Sequence, residues 1–191
     1  ILSFIANNAT KASLTQKLER TPSSRLAALL QYAHDKGMLV WIPASFVVTF
    51  ENQDSATYFA GGWLEEMVFL QMAGIFKERD DDQRYALNAN IKRASANVPN
   101  ELDAIAVYNN KTLIVECKTR QQFDNDTRDA LYKLSKLAAD VGGSSAQAVY
   151  VSAHLVSEPQ KERAKDYGIK IFDGSSINDV AKFLREWYAP T

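Results

Sequence analysis

The sequence contains one cysteine, Cys117, and only 2 histidines among its 191 residues. A single cysteine cannot form a disulfide within the chain, and this shortage of Cys and His excludes zinc sites built from clusters of these residues. Because disulfides accumulate in oxidising compartments, their exclusion favours a reduced, cytoplasmic location. With 8 Gly and 5 Pro, the chain is also unlike collagen or low-complexity sequences.

Long hydrophobic runs and a charge of one sign are also missing. No apolar stretch approaches the roughly 18 residues of a membrane span, and Asn7 and Asn8 interrupt the apolar start, so we expect these first residues not to be a signal peptide. Lys and Arg number 22 against 23 Asp and Glu, a net charge of −1, so bulk charge does not predict a nucleic-acid binder. The first residue is Ile1 rather than Met, so we expect a fragment or a processed chain.

What is present indicates an ordinary globular domain with a small appendage, since 46% of the residues are apolar and 24% are charged. Thr21-Pro22 is typical of a helix N-terminus, and two β-rich runs at residues 38–42 and 46–50 follow. We interpret residues 1–56 as a winged-helix-like connector. A polar junction at residues 54–58 marks the boundary, and residues 57–191 form the main domain.

The main domain has a pattern of α/β type. Periodicity and turn residues predict a helix from Gly61, three consecutive strands, a helix beginning at Asp126 or Thr127, a strand, and then a helix, a strand and a final helix. The acidic run at residues 80–82 reads as a turn. The predicted strands cover residues 84–93, 99–108, 111–118, 146–152 and 169–172. This order predicts a mixed sheet flanked by helices.

Four residues are brought together by this order: Glu65, Asp103, Glu116 and Lys118. Glu116 and Lys118 are two apart on one strand, so their side chains leave the same face. Asn109-Asn110 is a tight-hairpin signal, and Asp103 lies as far before the turn as Glu116 lies after it. Asp103 and Glu116 are therefore predicted cross-strand neighbours, and like charges so placed destabilise a sheet unless a cation lies between them.

Carboxylate oxygens and water suit Mg²⁺ or Mn²⁺, so this cluster predicts a divalent metal site next to a lysine. Such a site can activate a water and offset charge on a phosphoryl group, while Lys118 orients or deprotonates the water or stabilises the transition state. Glu65, on the preceding helix, is a candidate ligand, and the backbone carbonyl of Cys117 is another. Arg128 and Lys133, on the following helix, are candidate phosphate contacts.

The segments 100–103 (NELD) and 114–119 (IVECKT) resemble the core of PD-(D/E)xK nucleases, and the predicted order resembles their αβββαβ core. The segments 61–66 (GGWLEE) and 131–134 (LYKL) resemble one branch, the nuclease half of the CRISPR-associated CARF-domain effectors of the Card/Can type. The resemblance covers nearly the whole chain, with the first sixty residues similar to the connector of that family. The CARF domain itself is absent from this chain.

The resemblance implies a metal-dependent endonuclease that acts as a homodimer on single-stranded DNA and RNA. In this family a CARF domain, placed before the connector, binds cyclic oligoadenylate. The resemblance also assigns metal binding to Asp103 and Glu116, the motif lysine to Lys118 and a helical acid to Glu65. The family's Pro-Asp pair is absent, since Pro99 is separated from Asp103, and this leaves Glu101 as a competing ligand. Asp103 is preferred, because Glu101 lies outside the apolar alternation of its strand.

Two other functions compete with this interpretation. A restriction- or repair-type enzyme would have the same fold and would act on duplex or branched DNA. A catalytically silent nucleic-acid-binding or scaffold domain would use the same strand as an ordinary exposed edge, where alternating Glu and Lys are common.

Overall fold

The computed structural model describes residues 2–11, 13–77, 84–92 and 100–189. The chain divides into two compact units, residues 1–63 and 64–191. The acidic run at residues 80–82 and Pro99 lie outside the described residues. In the part of the chain that is described, no helix is long and apolar enough to cross a membrane.

The first unit combines helices with a three-stranded antiparallel sheet in the order β1-β3-β2. Its elements are α1 (Leu2–Lys11), β1 (Thr15–Lys17), α2 (Ser24–Asp35), β2 (Leu39–Ile42), β3 (Val47–Phe50) and α3 (Gln53–Thr57). Leu30 of α2 packs in one core with Val48 and Phe50 of β3. The winged-helix-like description of this region stays a prediction.

One local prediction for the first unit was wrong. Helix α2 is capped by Ser23, whose side chain accepts a hydrogen bond from the Leu26 N–H, and Pro22 lies outside the helix. The polar junction at residues 54–58 is helical: α3 covers Gln53–Thr57, and a π-helical turn over Tyr58–Gly62 follows it. The domain boundary between residues 56 and 57 stays a prediction. The division into two compact units falls after residue 63.

The second unit contains the predicted mixed sheet, with five strands in the order β4-β5-β6-β7-β8. The elements after α3 are α4 (Trp63–Lys77), β4 (Tyr85–Ile91), β5 (Asn100–Tyr108), β6 (Lys111–Lys118), α5 (Asp124–Gly142), β7 (Ala146–Ser152), α6 (Glu158–Asp166), β8 (Ile169–Phe172) and α7 (Val180–Trp187). The first three strands are antiparallel, whereas β6, β7 and β8 run parallel. The α/β fold with a mixed sheet flanked by helices is therefore confirmed.

The turn between β5 and β6 fixes the register of the sheet. Asn109 and Asn110 both have positive φ, 47° and 61°, as a two-residue hairpin turn requires. Asn tolerates this left-handed conformation better than most residues. The turn pairs Tyr108 with Lys111 and sets every later partner along the two strands.

Helix α5 covers one face of the sheet. Leu131, Leu134 and Leu137 form a buried stripe that shares a core with Ile114 of β6 and Tyr150 of β7. Because side chains alternate along a strand, Glu116 and Lys118 leave β6 on the same face as Ile114. The helix begins at residue 124, slightly before the predicted cap, so its N-terminus lies just after the end of β6.

The end of α5 depends on a glycine. A Cβ atom at Gly142 would lie 2.7 Å from the Cβ of Thr112 and 2.8 Å from that of Ala146. Since such short approaches are not tolerated, only glycine allows the helix to end this close to the starts of β6 and β7. The parallel pairing of β6 with β7 starts at this point, at Thr112 with Ala146, and continues to Lys118 with Ser152.

Candidate active site

The site lies where the pairing between β5 and β6 stops. The last of these partners are Ala104 and Val115, so Asp103 and Glu116 occupy the next position on each strand. The Cys117 N–H donates a hydrogen bond to Oδ2 of Asp103 at 2.6 Å. A side-chain carboxylate has thus reached the backbone of the neighbouring strand, which holds Asp103 against β6 as the hairpin count predicted.

The opposite side of β5 is also interrupted at Asp103. Strand β4 pairs Leu87 with Ala104 and Ala89 with Leu102, and this register places Asn88 opposite Asp103 without a pairing between them. Asn88 adopts a positive φ of 51°. The irregularity on both sides separates Asp103 from the regular ladder.

Glu116 is buried with a cation beside it. It is 9% exposed, and its Oε1 forms an ion pair with Nζ of Lys118 on the same face of β6. A carboxylate removed from water in this way is costly unless it is paired. In the absence of a metal, Lys118 provides that pairing.

Burial and repulsion raise the pKa of Asp103 to about 7. Burial is the larger cause and the negative charge of Glu116 the second, while the Cys117 N–H and Lys118 act in the opposite direction. The two carboxylates therefore repel each other, and a cation bound between them would relieve this repulsion.

Glu65 belongs to the same electrostatic cluster. Its pKa is raised, mainly by burial and further by the charges of Glu101 and Glu116, whereas Lys118 lowers it. Helix α4 thus places a third, half-buried carboxylate within the field of the strand residues.

The pKa of Lys118 is raised as well. Burial lowers this pKa, but the charge and hydrogen bond of Glu116, with the charge of Asp103, outweigh the effect. Lys118 is therefore protonated at neutral pH. A lysine acting as general base would need the opposite shift, so the structure favours a charge-stabilising or orienting role.

The donor set fits a hard divalent cation. The carboxylates of Asp103 and Glu116, with the peptide oxygen of Cys117, offer the oxygen ligands that Mg²⁺ and Mn²⁺ prefer, and water completes such sites. Among the residues that the structure describes, no group of three or more His, Cys, Asp or Glu side chains converges closely enough to hold a metal. Metal binding by Asp103, Glu116, Glu65 and the carbonyl oxygen of Cys117 therefore stays a prediction.

Replacing Asp103 by Asn is expected to stabilise the metal-free protein at pH 8. A pKa near 7 in the folded state, against about 3.9 when unfolded, means that stability falls as pH rises between these values. The Asn variant lacks this penalty and should gain about 1–3 kcal/mol at pH 8 and little at pH 4. Thermal melts in EDTA at both pH values, with Glu101→Gln as control, test this. A variant no more stable than the parent at pH 8 contradicts the shift.

The alternative acid Glu101 differs from Asp103 in burial. It lies within β5 opposite Asn90, as the predicted strand has it, and it shares a face with Asp103, Ile105 and Val107. Its side chain is exposed, whereas Asp103 is half-buried and bonded to Cys117. The geometry favours Asp103 for this different reason.

The sequence also predicted site roles for Cys117, Arg128 and Lys133. Cys117 is 5% exposed, and burial raises the pKa of its thiol. Arg128 is exposed and pairs with the neighbouring Asp129 at 3.0 Å. Lys133 is exposed farther along α5. Phosphate contact by Arg128 or Lys133 stays a prediction.

Tyr150 is a site residue that the sequence did not reveal. It pairs with Glu116 across β6 and β7 and is fully buried, which raises its pKa to about 12. Its hydroxyl shares a hydrogen bond with Thr127 of α5. Aligning the ends of β6 and β7 as parallel neighbours would have found it, since both strands end at the same edge.

A family model described as the Card1-like endonuclease domain matches residues 52–191. Among solved structures, protein VC1899 from Vibrio cholerae is 29% identical with a TM-score of 0.86, covering 98% of this chain and 50% of that chain. Can2 from Sulfobacillus thermosulfidooxidans, solved in complex with cyclic tetra-adenylate, is 20% identical with a TM-score of 0.72, covering 98% and 51%. The chain thus spans about half the length of these structures. No curated protein matches it significantly.

Proposed function

Since the chain belongs to the Card1-like endonuclease domain family, and is therefore a nuclease, we propose that Asp103, Glu116 and Lys118 form its catalytic centre. The carrying observation is the register of β5 and β6, which places two mutually repelling carboxylates beside a protonated lysine. Phosphodiester hydrolysis needs this combination of charges, because negative charge accumulates on the phosphoryl oxygens in the transition state.

Asp103 and Glu116 would hold Mg²⁺ or Mn²⁺, together with the carbonyl oxygen of Cys117 and water. When bound, the ion would polarise a phosphoryl oxygen, acidify a water and offset charge on the leaving oxygen. Asp103 would hold the ion as a carboxylate, because a cation would lower the pKa that burial and the charge of Glu116 raise. Glu65 would add a further ligand to the ion or hold one of its waters.

Lys118 acts as a cation in this scheme. Its protonated Nζ pairs with Glu116 before substrate binds and donates to a phosphoryl oxygen afterwards. Charge that develops on that oxygen strengthens the interaction in the transition state, which accelerates the reaction.

The substrates we propose are single-stranded DNA and RNA, cleaved by a homodimer. The chain would be the effector half of a defence nuclease whose CARF domain is activated by cyclic oligoadenylate. Two observations support this: the family match, and a fold likeness to about half of Can2, a protein solved with cyclic tetra-adenylate.

Cleavage assays with labelled single-stranded DNA, single-stranded RNA, duplex and junction substrates test the proposal. We expect Mn²⁺-dependent cleavage that is fastest on single strands, both for this chain and, with cyclic tetra-adenylate, for the full-length protein. Faster cleavage of duplexes or junctions would favour a restriction- or repair-type enzyme. Intact substrates in both preparations, with no Mn²⁺ binding that depends on Glu116, would favour a silent binding domain and overturn the proposal.

A further inference from the structure

A cleft of about 250 Å³ adjoins the candidate catalytic residues. Tyr150 and Ser152, both buried, lie among the residues around it, and they are the β7 partners of Glu116 and Lys118. Because paired residues on adjacent strands direct their side chains to the same face, the cleft opens beside the catalytic cluster. A group bound in it would lie next to a phosphate held at Lys118.

Hydrogen bonds hold the walls of the cleft in place. The Ala153 N–H donates to the carbonyl oxygen of Lys118 at 2.9 Å, which ties the loop after β7 to the catalytic strand. In the same loop, the Val156 N–H donates to Oδ2 of the buried Asp173 at 3.2 Å. The cleft is therefore formed before any ligand arrives, as a selective binding site requires.

The lining of the cleft is polar and lacks positive charge. Gln121 and Gln122 contribute side-chain amides, and Asp124 contributes a carboxylate that accepts a hydrogen bond from the Ser157 hydroxyl at 2.9 Å. Among the lining residues that the structure describes, there is no Lys or Arg, which disfavours a phosphate as the occupant. Side-chain amides, by contrast, both donate and accept hydrogen bonds, as recognition of the edge of a nucleobase requires.

Large apolar side chains are exposed at the same place. Leu155 lines the cleft and is 74% exposed, and Phe123, between the lining residues Gln122 and Asp124, is 82% exposed. Exposure of a phenyl ring costs free energy unless a ligand or a partner covers it, and nucleobases stack readily on such rings. The cleft is smaller than the roughly 300–1,000 Å³ of pockets that hold a whole drug-sized ligand, so it suits one base.

We propose that this cleft, together with Phe123, binds one unstacked base of single-stranded nucleic acid next to the scissile phosphate. The inference rests on the proposed function and deepens it, because it gives a physical reason for single-strand preference. A base within a duplex would first have to leave its stack at a cost in free energy, whereas a single-stranded base is already accessible.

Binding of two oligonucleotides of equal length to the full chain in EDTA tests the proposal. One is oligo(dT) and the other carries abasic sites throughout, so both have the same phosphates. The unmodified chain should bind oligo(dT) about tenfold more tightly, in keeping with base–aromatic stacking. Phe123→Ala should abolish most of this preference and Phe123→Trp should retain it. Leu155→Ala, a change in the cleft wall itself, should reduce it.

Tyr132→Ala is the matched control. Tyr132 is an exposed aromatic residue on α5, and this variant should keep the full preference for oligo(dT). Equal affinity of the unmodified chain for both oligonucleotides, or an unchanged preference in Phe123→Ala, overturns the base site. Failure of the proposed function appears differently, as binding of oligo(dT) without Mn²⁺-dependent cleavage. Because Phe123 is largely exposed, melting curves of its variants should match the parent.

Discussion

Replacing Glu116 by Gln should lower the rate of Mn²⁺-dependent cleavage by about a thousandfold or more. Glu116 is one of two carboxylates at the point where β5 and β6 stop pairing, and no other described acid occupies its position in the register. The Gln side chain has nearly the same shape but no charge, so the loss reports metal binding and transition-state charge rather than packing. Single-turnover cleavage of a labelled single strand measures the effect.

The two acids of β5 supply the matched comparison for this prediction. Asp103→Asn should lose activity to a similar extent, whereas Glu101→Gln should stay within about threefold of the parent, because Glu101 is exposed. Titration of Mn²⁺ by calorimetry should show weakened binding in Glu116→Gln and Asp103→Asn only. If Glu101→Gln is the inactive variant, the first metal ligand has been misassigned. If Glu116→Gln cleaves normally, the catalytic centre lies elsewhere.

Local signals were sufficient to predict most of the second unit. Asn109-Asn110 predicts a two-residue hairpin because few residues accept positive φ, and the structure has positive φ at both positions. Once the turn is fixed, counting places Asp103 opposite Glu116. The alternation along β6 then determines which side chains share a face. The register, and with it the core of the site, was therefore available from the sequence.

The sequence did not predict features for which two local conformations have similar free energies. Thr21 and Ser23 are both good caps, and the structure selects Ser23, because its side chain reaches the Leu26 N–H. The junction at residues 54–58 has a polar sequence but forms a helix, with Ala56 fully buried in the core of the first unit. Tertiary packing overrides weak local preference in such segments.

The pKa shifts at the site could be derived only from the structure, because opposing contributions of similar size determine them. The pKa of Lys118 depends on burial, which lowers it, and on the carboxylates, which raise it, and only coordinates decide between the two. The same applies to Glu101 and Asp103, which have the same parity on β5 and differ in burial. Tyr150 was missed because it is far from the motif in sequence and becomes its neighbour only through the parallel pairing of β6 with β7.

Replacing Lys118 by Met should reduce the maximal cleavage rate by about a hundredfold or more while leaving Mn²⁺ binding intact. Met retains much of the length of the lysine stem and removes the charge, so the phosphoryl oxygen loses its donor. Because Nζ of Lys118 pairs with Glu116 in the metal-free protein, its removal also frees that carboxylate for the metal. Mn²⁺ affinity should therefore stay equal or increase, which distinguishes this variant from Glu116→Gln.

Stability measurements give Lys118→Met a second signature. Without metal, the variant leaves Glu116 buried and unpaired, so its melting temperature at pH 8 should fall below that of the parent. Saturating Mn²⁺ should remove most of the difference, because a bound cation compensates the same charge. Exposed Lys133 on α5 is the control, and Lys133→Met should leave the melting temperature unchanged. An unaltered cleavage rate in Lys118→Met would refute the role of its cation in catalysis, whereas a melting difference that persists in Mn²⁺ would place the metal away from Glu116.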